Sequence, residues 1–153
     1  MNAEFSKTET NAYPNISVHD CRIDKIVPSA DGIHFYFSDG FILCEPKTDP
    51  CGVYRTSNSV ITVNNCALDD VFCKINYRFI LFGVSMALSR DISFKKLSGM
   101  LSQGLKIELI DEFYTYNQLY WRGEIYPYKK RRLGDEIEIR INGEFTRTYK
   151  WNQ

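Results

Sequence analysis

Apolar and polar residues alternate at every second position in three stretches of the carboxyl-terminal half of this chain, and any fold must satisfy that period. Leu105, Ile107 and Leu109 alternate with Lys106 and Glu108; Leu119, Trp121 and Ile125 with Tyr120, Arg122, Glu124 and Tyr126; Ile137, Ile139 and Ile141 with Glu136, Glu138 and Arg140. Successive side chains of a strand point to opposite faces, so each stretch reads as a strand with one buried face and one solvated face. Nothing alternates strand with helix, as a parallel α/β fold would.

The amino-terminal half reads the same way. Cys21 to Ile26 is a strand candidate that Pro28-Ser-Ala-Asp-Gly32 closes as a turn. Ile33–Ser38 and Phe41–Cys44 flank Asp39-Gly40, which predicts a central hairpin with a two-residue loop, Phe37 facing Ile42 and Phe35 facing Cys44. Residues 45–59 are turn-rich and read as a long loop, and Val60–Val63 as a short strand. Val71–Phe82 reads as one long strand, or as a strand running into a bend at Gly83. The one helix lies near 93–103: Asp91 or Ser93 caps it, Phe94, Leu97 and Leu101 recur at helical spacing, and Gly104 stops it.

At the end of the chain, Ile137–Ile141 and Phe145–Trp151 flank Asn142-Gly143. A two-residue loop would waste Phe145, Tyr149 and Trp151. A bulged three-residue loop with Gly143 in the left-handed region puts those aromatics on the isoleucine face. The expectation is a flexible tail over 1–14 and a single mainly β domain over 15–153. Its architecture would be an antiparallel sandwich or partly open barrel of about seven or eight strands with one short helix.

A chain of 153 residues is the size of one domain and can fold without disulfides or metals. With 19 basic residues against 19 acidic ones and 44% hydrophobic content, it is neither disordered nor a wholesale polyanion binder. The start carries no secretory pattern, and the apolar stretch Phe79–Leu88 is too short to span a bilayer, so a cytoplasmic protein with no membrane partner is expected. Five cysteines without a signal argue against a disulfide framework. The six-residue gaps in Cys44/Cys51 and Cys66/Cys73 are wider than those of structural zinc knuckles, so neither metal nor cofactor is expected.

Any nucleophilic mechanism would have to pass through His19 or His34, the two histidines. His19-Asp20 is a polar candidate site, but neighbours on an extended strand point apart, and no nucleophile elbow or phosphate loop is present. Asp69-Asp70 and Asp111-Glu112 read as turn carboxylates in water. Enzymatic activity is therefore not expected, and a hydrolase is the least favoured reading. Tyr114, Tyr116, Tyr120, Tyr126 and Tyr128 beside Lys129, Lys130, Arg131 and Arg132 are the candidate binding residues. Tyr120 and Tyr126 with Arg122 between them suit a protein interface, where Tyr and Arg are enriched. Tyr114, Tyr116, Tyr128 and the basic run would suit single-stranded nucleic acid or a small ligand. Residues 105–153 nevertheless hold nine basic and eight acidic side chains, so the basic run is local.

Val18-His-Asp-Cys-Arg-Ile-Asp-Lys-Ile26 leading into Phe35-Tyr-Phe-Ser-Asp-Gly40 resembles the opening of small bacterial β-rich proteins, some grouped with the immunity proteins that neutralise polymorphic toxins. Ile110-Asp-Glu-Phe-Tyr-Thr-Tyr-Asn117 leading into Trp121-Arg-Gly123 is similar to the same group. The resemblance implies a β-rich fold and a binding role, and carries over no catalytic residue. The expectation is a non-enzymatic bacterial protein-binding module, of which an immunity-type antagonist is one form. The alternative is a small-ligand or single-stranded nucleic-acid binder.

Overall fold

In the computed structural model, which describes residues 7–13, 15–45, 52–127 and 135–152, the alternating stretches are strands. The chain runs β1 (Lys7–Thr10), β2 (Ile16–Ser17), β3 (Arg22–Ile23), β4 (Lys25–Ser29), β5 (Gly32–Phe37), β6 (Ile42–Glu45), β7 (Gly52–Arg55) and β8 (Ser57–Asn64). One 3-10 turn at Leu68–Asp70 leads into β9 (Val71–Leu81), β10 (Val84–Ile92) and helix α1 (Phe94–Ser102). Then follow β11 (Lys106–Tyr114), β12 (Gln118–Tyr126), β13 (Asp135–Asn142) and β14 (Thr146–Asn152). All pairings are antiparallel.

Two large sheets, β1-β14-β8-β5-β4 and β10-β9-β13-β12-β11-β3, pack as a sandwich that does not close into a barrel, and β2-β6-β7 forms a small third sheet. Ile33, Phe35, Phe37, Ile61, Val63, Tyr149 and Trp151 line one side of the core. Ile75, Ile107, Leu109, Leu119, Trp121, Ile137, Ile139 and Ile141 line the other. Trp121 bridges the sheets, edge-on to Phe35 with ring centroids 4.9 Å apart. The helix forms where its spacing predicts. The Ser93 hydroxyl accepts from the Lys96 N–H at 3.2 Å, Phe94, Leu97 and Leu101 are buried, and the Ser98 hydroxyl donates to the Ile26 carbonyl.

Several expectations are corrected. Asp39-Gly40 is a turn, with the Gly40 N–H donating to the Phe37 carbonyl at 3.0 Å, but it closes no hairpin. β5 pairs with β4 and β8, whereas β6 leaves for the small sheet between β2 and β7. Asn142-Gly143 likewise joins strands of opposite sheets, so no bulged hairpin forms there. Tyr149 and Trp151 still face the isoleucines, across the sandwich rather than along a strand pair. The long loop expected over 45–59 contains β7 and the start of β8. Of the tail expected over 1–14, residues 7–10 are β1 paired with β14, and Ala12 is buried. β10 has no counterpart among the expected strands, although Val84, Met86 and Leu88 alternate with Ser85, Ala87 and Ser89.

Asp24 stands where the chain crosses from the six-stranded to the five-stranded sheet. Its carboxylate takes the Lys106 ammonium at 2.6 Å and the Ser38 N–H at 2.6 Å. Burial alone would raise this carboxyl, but Lys106 and the two Ser38 donors outweigh it and hold the pKa below its ordinary value. A depressed native pKa stabilises the fold above the unfolded value of about 4, and that contribution is lost as pH falls through the native one. Asp24→Asn should therefore lower the melting temperature at pH 7, and its gap to wild type should close below about pH 4. A gap constant from neutral to acid pH would show that the carboxylate is not linked to folding.

Candidate functional site

The outer face of the six-stranded sheet is organised in rows that run across strands, set by pairing register. Phe72 of β9 pairs with Arg140 of β13, Arg140 with Tyr120 of β12, and Tyr120 with Phe113 of β11. The Arg140 guanidinium lies 5.9 Å from the Tyr120 ring centroid, and the Tyr120 and Phe113 rings are 6.0 Å apart. Phe72 is 55% and Phe113 59% exposed, so this is an apolar and cationic strip in water. One row along, Asp91, Lys74, Glu138, Arg122 and Asp111 alternate in sign, and Arg122 is ion-paired with Asp111. Phe72, Lys74, Asp91, Glu138 and Arg140 line a hollow of ≈ 300 Å³ on this face.

Three sequence-predicted residues belong here. Tyr120, Arg122 and Tyr126 all point outward from β12, and the Arg22 guanidinium lies 5.3 Å from the Tyr126 ring centroid. Burial and the Glu138 carboxylate raise the Tyr120 hydroxyl pKa, so it stays a neutral donor. Phe72, Phe113 and Arg140 complete the row and were not among the predicted residues. Arg140 was visible as an outward position, but its place beside Tyr120 depends on register.

The other predicted residues do not join this face. A register shift between Leu109 and Asp111 makes Ile110 an extra residue, a β-bulge. Past it the parity of β11 inverts: Asp111 and Phe113 turn out, Glu112 and Tyr114 turn in. Tyr114 is therefore part of an interior network rather than a stacking surface. Its hydroxyl donates to Glu112 Oε2 at 2.8 Å and accepts from Trp121 Nε1 at 3.0 Å, and the Arg147 guanidinium sits 3.9 Å from its ring centroid. Burial drives the Tyr114 hydroxyl pKa well up, so its proton stays in place. Glu112 Oε1 accepts from the Ser17 hydroxyl at 2.5 Å and the Val18 N–H at 3.1 Å, so both carboxylate oxygens are engaged, Oε1 tying the β2 segment to β11 and Oε2 holding Tyr114. The reading of Asp111-Glu112 as turn carboxylates fails for the same reason, since both lie within a strand. Tyr116 is 84% exposed at the turn between β11 and β12. Tyr128, Lys129, Lys130, Arg131 and Arg132 lie outside the described residues.

His19 and Asp20 are closer than an extended chain allows. Asp20 adopts φ 58°, and the turn brings His19 Nδ1 to 3.0 Å from its carboxylate. Both side chains are exposed at 54% and 64%, which leaves the pair no walled pocket. His34 lies on the outer face of the five-stranded sheet with Nδ1 2.8 Å from the Thr62 hydroxyl; burial and Lys150 lower its pKa. Burial pushes the thiols of Cys21 and Cys66 up to about 11 and that of Cys73 to about 12, against the thiolate form. Among the described residues no group of three or more His, Cys, Asp or Glu is placed to hold a metal, and no helix is long and apolar enough to cross a membrane.

Fold and surface together define an open antiparallel β sandwich that presents one aromatic and charged sheet face. Compared with known proteins, the chain matches no family model, no curated protein and no solved structure.

Proposed function

We propose that this protein is a non-enzymatic protein-binding module whose partner docks on the outer face of the six-stranded sheet, as an immunity-type antagonist would hold its toxin. The observation that carries the reading is the row Phe72–Arg140–Tyr120–Phe113, four side chains of types enriched in interface centres, aligned across four strands and exposed at both ends. The row of alternating charge beside it, closed by the Arg122–Asp111 ion pair, is the polar rim such a centre needs. A nucleic-acid or small-ligand reading draws less support. Tyr114 is turned inward, and three arginines of this sheet are matched by carboxylates, Arg22 by Glu108, Arg78 by Glu136 and Arg122 by Asp111.

The test is affinity capture from lysate of the source organism, with and without nuclease, comparing wild type with a Tyr120→Ala, Arg122→Ala, Phe113→Ala triple variant. One protein retained in both wild-type halves is expected, bound at least about 30-fold more weakly by the variant. The variant's melting temperature should stay within a few degrees of wild type, since all three side chains are at least partly exposed. Undiminished capture by the variant removes this face as the interface. Capture that disappears with nuclease transfers the function to nucleic acid.

A further inference from the structure

The hairpin of β9 and β10 outruns the sheet that carries it. Among the described residues β13 pairs with β9 only from Val71 to Asn76, and from Tyr77 to Leu88 no described strand lies beside the ribbon that β9 and β10 form. Direct pairs in an antiparallel ribbon share a face. On the face continuous with the core, the rungs are Tyr77/Leu88, Phe79/Met86 and Leu81/Val84, all apolar. On the opposite face, Asn76/Ser89, Arg78/Ala87 and Ile80/Ser85 are mixed, and Arg78 and Asn76 bond Glu136 and Glu138. Leu81, Val84, Met86 and Leu88 are 45%, 61%, 44% and 58% exposed, and Phe82 at the tip is 96% exposed. An isolated two-stranded ribbon is marginal in water, so one with a whole apolar face gains most from cover.

We infer that a second copy of this chain covers it: two ribbons pack apolar face to apolar face about a two-fold axis, giving a homodimer. The area suffices. The six side chains with Phe82 leave about 500–700 Å² per copy, so mutual burial of about 1,000–1,400 Å² reaches the size of a specific interface. The face is also complementary to itself. It has three apolar rungs and carries no charge, and Arg90, opposite Ile75, ends it at the root. With the ribbons antiparallel, the tip rung of one meets the root rung of the other and the Phe79/Met86 rungs meet at the axis. Every apolar rung then finds an apolar rung, as an isologous contact requires. The mixed faces remain in water, and the outer face of each six-stranded sheet body stays free for another partner.

Sedimentation equilibrium of the full chain from about 1 to 100 µM tests this, because a dimer's mass depends on concentration by mass action. The expected result is a mass twice 17.8 kDa at the upper end for wild type. Met86→Asp, at the axis, should weaken association at least about 100-fold, while Ser85→Asp on the other face of the same strand should leave it unchanged. Far-UV circular dichroism reports whether Met86→Asp folds, and Val84→Lys repeats the test one rung away. A wild type that stays at 17.8 kDa throughout overturns the inference, even if another protein is later found on the ribbon. So does association that survives both Met86→Asp and Val84→Lys, or that Ser85→Asp abolishes equally.

Discussion

Trp121→Ala should cost about 3–5 kcal/mol, the range for truncating a fully buried aromatic, against a total stability of roughly 5–15 kcal/mol for a domain of this kind. Trp121 is 0% exposed. Its ring meets Phe35 at 4.9 Å and Phe37 at 6.4 Å, both edge-on, so one side chain fills the gap between the two sheets. Its removal leaves a void lined by residues of both sheets, whose backbones are held by strand pairing and cannot collapse into it. It also withdraws the N–H that the Tyr114 hydroxyl accepts at 3.0 Å. In urea the unfolding midpoint should drop by more than about 1 M with the slope unchanged. Trp121→Phe separates the two contributions, keeping a ring in the gap while losing the hydrogen bond, which alone is worth about 1 kcal/mol. A Trp121→Ala cost below about 1 kcal/mol would mean that the indole does not bridge the sandwich.

The strands around Trp121 were legible because their information is local. In β12 and β13 the inward positions Leu119, Trp121, Ile125, Ile137, Ile139 and Ile141 are large and apolar and alternate with polar residues, so period alone reveals strand and inward face. Tyr120, Arg122 and Tyr126 followed as outward positions for the same reason. Partner choice is not local. Asp39-Gly40 says where the chain turns, not which sheet receives the next strand, and here the close approach of Thr56 to Phe41 diverts it. At the end of the chain the aromatics were placed on the isoleucine face with the wrong pairing, because a sandwich and a hairpin bury the same alternate residues.

The bulge in β11 had a trace in the apolar pair Leu109-Ile110, which interrupts the alternation. Read without it, the alternation runs on unbroken past Ile110, and Tyr114 passes for a surface residue when it is an interior one. The row Phe72–Arg140–Tyr120–Phe113 was beyond reach, since its members are up to 68 positions apart and only register aligns them. In β7 and the start of β8, polar side chains such as Ser57 and Ser59 hide strands whose backbone pairing is supplied by neighbours.

Gly40→Ala and Gly83→Ala form a matched pair, because the two glycines have nearly the same backbone, φ +76° and φ +78°, in opposite surroundings. Any side chain at such a φ costs roughly 1–2 kcal/mol. Gly83, in the turn of the β9–β10 ribbon, has nothing within 4 Å of where a Cβ would stand, so that strain should be its whole cost. At Gly40 the added carbon would stand 1.9 Å from the Thr56 carbonyl oxygen and 2.6 Å from its hydroxyl. Thr56 cannot withdraw cheaply. Its N–H donates to the Phe41 carbonyl at 2.9 Å, its hydroxyl accepts from the Phe41 N–H at 2.9 Å, and the same hydroxyl meets Ser59 at 2.6 Å. These bonds hold the chain where it leaves the five-stranded sheet for the small one, so relief of the clash would break them. Gly40→Ala is accordingly expected to cost at least about 2 kcal/mol more than Gly83→Ala, read as the difference between their urea midpoints at a common slope. Equal costs for the two variants would mean that Thr56 does not press on Gly40 and that the turn alone, not the staple behind it, sends β6 away from β5.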